Sequence, residues 1–235
     1  MTGGGPVAAP TPYVEPLAER YARMAHTFER RPVDLVLRGC DVVLSAAALA
    51  LLSPVMCVVA LAVLASGGRP VLYSGSRVGQ AGRSFTMRKF RTLAPDAERR
   101  LGPYLGAELS HMTASEVTAL GHVLRATKLD ELPQLYNVLR GDMSIVGPRP
   151  IRPAFFAELS EEIPQYWQRL VVRPGLTGLA QLRLTREMTW AEKLAHDFEY
   201  IADRSLRLYA DIIVKTSWLV LLHPASAVWR RDGRT

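Results

Sequence analysis

An apolar run from Val42 to Ala65, free of charge and interrupted near its middle by Ser53-Pro54, constrains this chain more than any other feature. About 20 apolar residues are enough for a helix to cross a bilayer. The flanks argue for a different path. Arg30, Arg31 and Arg38 precede the run, and Arg69, Arg77, Arg83 and Arg88 follow it. Short Arg-rich segments prefer the cytoplasmic side, which draws both ends of the run to one face. Proline removes a backbone donor and crowds the preceding turn, so it bends helices sharply. A serine hydroxyl beside it can satisfy one of the freed backbone groups inside a membrane. The favoured reading is a re-entrant helix over 33–66 that enters the bilayer, breaks at Ser53 and Pro54, and returns to the same face. A kinked spanning helix is the other reading these residues allow.

The 235 residues hold one medium domain beside such an element. The net charge of +7 comes from 29 basic residues, of which only Lys89, Lys128, Lys193 and Lys215 are lysines. Guanidinium is a rigid fork of donors, so an Arg-rich surface suits phosphates, carboxylates or anionic lipid head groups. Nucleic acid is disfavoured as a partner, because the sequence has no zinc spacing, basic repeat or recognised binding motif. The two cysteines, Cys40 and Cys57, lie in or beside the apolar run and make no disulfide framework, which fits a reducing compartment. The run is too long and too far along the chain to read as a removable signal peptide.

Residues 1–12 carry three consecutive glycines, three prolines and no charge, and read as a disordered tail. Residues 13–32 space Leu17, Tyr21, Met24 and Phe28 as an amphipathic segment would. After the apolar run, 67–222 reads as one mainly helical domain with a small β-hairpin: Val71 to Tyr73 and Phe85 to Met87 as strands, Gly79-Gln80-Ala81-Gly82 as the turn. Residues 95–116 give a helix or loop, and Phe155 to Leu170 a helix. Arg173 to Gly178 reads as a rigid loop, and Ser205 to Leu222 as a last helix, where Trp218 suits a membrane interface. Residues 223–235 read as a tail. The fold class expected is α+β.

Asp130-Glu131 is the first candidate for chemistry. Pro133 is tolerated only in the first turn of a helix, so the helix bearing Leu132, Leu135, Tyr136 and Leu139 should start near Asp130. Two carboxylates at a helix start are also what capping alone selects. Adjacent helical residues point about 100° apart, so one carboxylate could attack phosphorus while the other holds a metal ion. The second candidate is a set of basic residues: Lys89 and Arg91 in Arg88-Lys89-Phe90-Arg91-Thr92, Arg125, Arg149 in Gly147-Pro148-Arg149-Pro150, and Arg173 before Pro174-Gly175. Arginines fixed by Pro and Gly beside a dicarboxylate suit a diphosphate substrate. The five histidines, His26, His111, His122, His196 and His223, show no metal-ligand spacing. There is no phosphate-binding Gly-rich loop, dinucleotide fingerprint or nucleophilic serine elbow.

From about Arg31 to Leu222 the chain resembles the bacterial sugar transferases, the small monotopic polyprenyl-phosphate phosphoglycosyl transferases. The resemblance rests on Ser53-Pro54, on Lys89-Phe90-Arg91-Thr92 and on Asp130-Glu131-Leu132-Pro133-Gln134-Leu135. It extends to Gly141 through Pro150 and to Arg173 through Gln181. It implies a monotopic enzyme on the cytoplasmic leaflet of the bacterial inner membrane. Such an undecaprenyl-phosphate sugar phosphotransferase moves a sugar 1-phosphate from a nucleotide (uridine) diphosphate sugar to polyprenyl phosphate, an initiating step in exopolysaccharide or glycoconjugate synthesis. It also implies that Asp130 is the nucleophile, forming an aspartyl-phosphosugar intermediate, and that Glu131, with Asp130, holds Mg2+. Arg125 is implied as a phosphate ligand. Membrane lipids are implied partners, and a homodimer is left open. The chain departs from the family pattern at Ser115 to Gly121, at Leu182 to Thr185 and in Ser205 to Ile212. These changes bear on sugar and nucleotide preference. A non-catalytic membrane scaffold for polysaccharide assembly is the competing function, with the dyad only a helix cap.

Overall fold

The structure, a computed structural model, describes residues 31–95, 97, 115–183 and 188–222. The N-terminal tail, the amphipathic segment up to residue 30, most of 95–116, positions 184–187 and the C-terminal tail lie outside the described residues.

Helix α1 spans Pro32–Gly67. Pro32 opens it, where the missing N–H costs nothing, and Asp34 accepts the Arg31 amide at 2.9 Å. Gly68 closes it at φ 66°, a left-handed conformation in which a side chain would be strained. The helix expected to break at Ser53-Pro54 does not break there: its helical backbone runs through both residues without a loop. Pro54 cannot donate to the carbonyl four residues back, which is Ala50, and the Ser53 hydroxyl donates there instead at 2.9 Å. The lost bond is replaced locally, so the helix survives its proline.

Both ends of α1 rest on the same folded body. Leu37 packs with Val146, Tyr200, Tyr209 and Ile212, and Arg38 donates to the carbonyls of Val138 and Leu139 at 2.6 and 2.8 Å. Near the far end, Val59 and Val63 pack with Phe90 and Leu124. Leu51 is 78 % exposed and Val58 67 % exposed. Among the described residues α1 is the one helix long and apolar enough to cross a membrane. Asp41, in the first third of α1, is buried. Its Oδ1 accepts the Ile145 amide at 2.8 Å and the Ser144 hydroxyl at 3.0 Å.

The hairpin forms as expected but with longer arms. Strands β1 (Leu72–Val78) and β2 (Ser84–Phe90) pair antiparallel from Leu72↔Phe90 to Val78↔Ser84. Ser74, Gly75 and Ser76 have little strand propensity of their own; cross-strand pairing carries them. Helix α2 (Ala119–Thr127) is capped by the Thr118 hydroxyl, which accepts the Gly121 amide at 2.9 Å. It ends where Lys128 turns left-handed at φ 61°.

The helix expected to start near Asp130 starts later. Asp130 and Glu131 lie in a 3-10 turn, Leu129–Glu131, and α3 runs Gln134–Arg140. The left-handed Lys128 has already broken the chain direction. The amides of Glu131 and Leu132 then bond three residues back, giving the tighter turn.

The supposed rigid loop at Arg173 to Gly178 contains strand β4 (Gly175–Thr177), which pairs in parallel with β3 (Ser144–Val146). A Cβ on Gly175 would lie 2.1 Å from the Gly147 amide nitrogen, so this close approach requires glycine. The single helix expected over Phe155 to Leu170 is two pieces, α4 (Pro153–Glu162) and a 3-10 turn, Tyr166–Val171. Pro164 forces Ile163 into extended backbone at φ −122°, which ends α4. Helices α5 (Leu179–Leu182), α6 (Trp190–Asp203) and α7 (Leu206–Leu222) complete an α+β fold.

Candidate active site

The end of β2 and the turn after α2 meet at the dyad. Lys89 Nζ lies 2.9 Å from Glu131 Oε1, and the two side chains are 18 % and 15 % exposed. Asp130 is more deeply buried, at 7 % exposure. Its Oδ1 has no hydrogen-bond partner among the described residues. Two adjacent carboxylates therefore occupy different environments.

Their proton affinities diverge accordingly. Burial pushes Asp130 above the usual carboxylate range, and the Glu131 charge pushes it further; Lys89, Lys128 and Arg125 oppose this without cancelling it. Burial also acts to raise Glu131, but Lys89, Lys128 and Arg149 outweigh it and hold the carboxyl below its ordinary value. Burial lowers Lys89, Arg149 adds to that, and Glu131 and Asp130 pull the other way. Carboxylates driven apart by their surroundings are suited to different roles.

The positions of the other predicted basic residues separate them into two groups. Arg125, on α2, acts on Asp130 through its charge and is steadied by Thr92, whose hydroxyl accepts from Nε at 2.9 Å. Arg149, on the loop after β3, acts through its charge on Glu131 and Lys89. Arg91 fastens the end of α1, donating from Nη2 to the Gly68 carbonyl at 2.9 Å. Arg173 donates from Nε to the Gly141 carbonyl at 3.0 Å, bracing the approach to β3. Lys89, Arg125 and Arg149 thus gather around the carboxylates.

This arrangement can be set beside known proteins. The family model described as bacterial sugar transferase matches residues 33–223, four-fifths of the chain and the whole of the site. The chain belongs to the bacterial sugar transferase family. Among relatives, the UDP-glucose:undecaprenyl-phosphate glucose-1-phosphate transferase of Caulobacter vibrioides is 41% identical over 192 residues, covering 80% of this chain and 70% of that one. The UDP-N-acetylgalactosamine-undecaprenyl-phosphate N-acetylgalactosaminephosphotransferase of Aeromonas hydrophila is 36% identical over 189 residues, 79% of this chain. This chain spans 44% of the length of that relative. The exopolysaccharide production protein ExoY of Rhizobium meliloti is 34% identical over 199 residues, 78% of this chain and 84% of its own.

In this bacterial sugar transferase, two buried residues that sequence reading passed over support Arg149. Arg169 donates from Nη2 to the Arg149 carbonyl at 2.9 Å and from Nη1 to the Tyr166 hydroxyl at 2.9 Å. It pairs with Asp197 at 2.8 Å. Neither residue stands beside a turn marker, and the pair closes across 28 positions, so no local pattern announces it.

No cluster of three or more His, Cys, Asp or Glu able to hold a metal occurs among the described residues. Mg2+ binds by one or two carboxylates together with substrate phosphates and keeps several waters. The two hard oxygen donors of the dyad, with Asp130 Oδ1 unpartnered, fit a cation that arrives with a diphosphate.

Proposed function

We propose that this bacterial sugar transferase moves a sugar 1-phosphate from a uridine diphosphate sugar to undecaprenyl phosphate, in two steps through Asp130. The observation that carries the reading is the buried, unpartnered Oδ1 of Asp130 beside a Glu131 already engaged by Lys89. The printed names of the relatives from Caulobacter and Aeromonas support the substrate classes.

In the first step an Asp130 oxygen attacks the phosphorus that bears the sugar. The bond from that phosphorus to the bridging oxygen breaks, and uridine monophosphate leaves with the electron pair. In the second step an oxygen of the polyprenyl phosphate attacks the same phosphorus and the Asp130 carboxylate departs. A carboxylate nucleophile divides a transfer between two mutually repelling anions into two easier steps. Lys89, Arg125 and Arg149 offset the charge of the phosphates. Asp130 and Glu131 would hold Mg2+, which supplies further neutralisation of the diphosphate when bound. The acceptor's chain is apolar, so the reaction belongs at a membrane surface. The placement proposed is the cytoplasmic leaflet of the inner membrane, with α1 as a re-entrant helix. Support comes from the packing of both ends of α1 on one folded body and from its exposed apolar middle.

The test is incubation of purified protein with a panel of uridine diphosphate sugars and Mg2+, without acceptor. One sugar should give stoichiometric uridine monophosphate and a phosphosugar mass increment mapping to Asp130, discharged by undecaprenyl phosphate. Absence of nucleotide release with every sugar, or an adduct on another residue, defeats the reading.

A further inference from the structure

The turn that carries the dyad is followed by a second unsatisfied polar group. Gln134, the first residue of α3, is 3 % exposed. Its Nε2 is buried and has no hydrogen-bond partner among the described residues. Asp130 Oδ1, four residues earlier, is in the complementary condition: a buried acceptor without a donor. Folded proteins satisfy the great majority of buried polar groups, because an unmade hydrogen bond leaves the full desolvation cost standing. A buried donor and a buried acceptor thus both stand open within four residues of each other.

We infer that Gln134 is a further catalytic residue of this site, its side-chain amide donating a hydrogen bond to a non-bridging oxygen of the phosphoryl group that Asp130 attacks. The inference rests on the Asp130 reading above. Asp130 lies in the 3-10 turn Leu129–Glu131 and Gln134 opens α3 three residues after that turn ends, so the two open groups belong to one short stretch of chain at the site. Lys89, Arg125 and Arg149 supply charge around the dyad. Gln134 supplies a neutral donor that carries no charge to draw on the nucleophile. Atoms balance simply: Oδ1 forms the new bond to phosphorus, the bond to uridine monophosphate breaks, and the amide keeps both its protons. As negative charge redistributes over the phosphoryl oxygens in flight, a fixed donor favours the transition state over the free enzyme.

A structural amide and a catalytic amide respond oppositely to Gln134→Met, a substitution of similar length that removes the unsatisfied donor. With no partner to lose in the free protein, Gln134→Met should keep or raise the melting temperature measured without ligand. The rate of adduct formation on Asp130 should fall roughly 10- to 100-fold, with kcat changed more than KM for the nucleotide sugar. Gln134→Glu, which sets an acceptor against the phosphate, should be slower still. An unchanged adduct rate in Gln134→Met overturns the assignment of Gln134 while leaving the Asp130 reading intact. So does a fall in melting temperature that accounts for the lost activity. A wild-type protein that forms no adduct overturns both.

Discussion

The hydroxyl of Tyr209, on α7, donates at 2.9 Å to Oδ1 of Asp41, inside the apolar helix α1. The same oxygen accepts from Ser144 and Ile145 on β3. One carboxylate oxygen therefore joins the long apolar helix, the last helix and the strand that leads to Arg149.

Removing that oxygen should be costly. Asp41→Ala strands three buried donors, each a loss of about 1–3 kcal/mol, and should lower stability by at least about 3 kcal/mol. Asp41→Asn keeps an oxygen in place and loses only charge assistance, so its cost should be far smaller. Thermal unfolding in detergent or nanodiscs compares the two, and equal losses would show that charge matters more than the acceptor atom.

Asp130→Asn should abolish turnover and adduct while raising stability at neutral pH. Burial and Glu131 raise the Asp130 pKa in the folded state. Such a carboxyl binds its proton more tightly folded than unfolded. Its stabilising effect is complete below the unfolded pKa and is lost as pH rises through the folded one. At pH 7 the ionised side chain is a burden that an amide lifts. Melting temperatures at pH 7 check this, and a lower value for Asp130→Asn contradicts it.

The pH dependence of turnover should have limbs displaced toward neutrality on both sides. In the proposed mechanism protonation of Asp130 removes the nucleophile, and its raised pKa moves the acid limb above that of an ordinary aspartate. Loss of the Lys89 proton removes a phosphate-facing charge, and burial moves this alkaline limb below that of an ordinary lysine. In Lys89→Met the acid limb should move further up, because Lys89 opposes the rise at Asp130. Lys89→Arg, which does not deprotonate in this range, should remove the alkaline limb. Rate profiles for the three proteins decide the matter.

For topology, cysteines placed singly at Arg31 and Arg69, in a background without Cys40 and Cys57, should both resist an impermeant reagent applied outside intact cells. Labelling at one end only indicates a spanning helix. Pro54→Ala restores the Ala50 hydrogen bond from the backbone and removes the proline's clash with the preceding turn, which should shift molecules toward one-ended labelling. Unchanged labelling in Pro54→Ala would mean that the packing of both helix ends, rather than the proline, sets the path.

The sequence by itself determined those features whose causes are local. The uncharged length of the run around Ser53-Pro54, the turn at Gly79 to Gly82, and the dyad beside Pro133 each have their causes within a few residues, so the long apolar helix, the hairpin and the adjacent carboxylates could be read directly. Tertiary structure decided what depends on distant partners. Whether Asp130 belongs to a helix or a 3-10 turn followed from a left-handed Lys128 that no propensity signals. The strand at Gly175 exists only because Ser144 lies alongside it. Tertiary structure brings the charges of Arg125 and Arg149 to bear on the dyad, while Arg91 and Arg173, in motifs as conspicuous, turn to backbone carbonyls at Gly68 and Gly141. The Arg169–Asp197 pair and the burial of Gln134 left no trace in the pattern. A buried polar group is defined by what surrounds it in space, and spacing along the chain does not encode that.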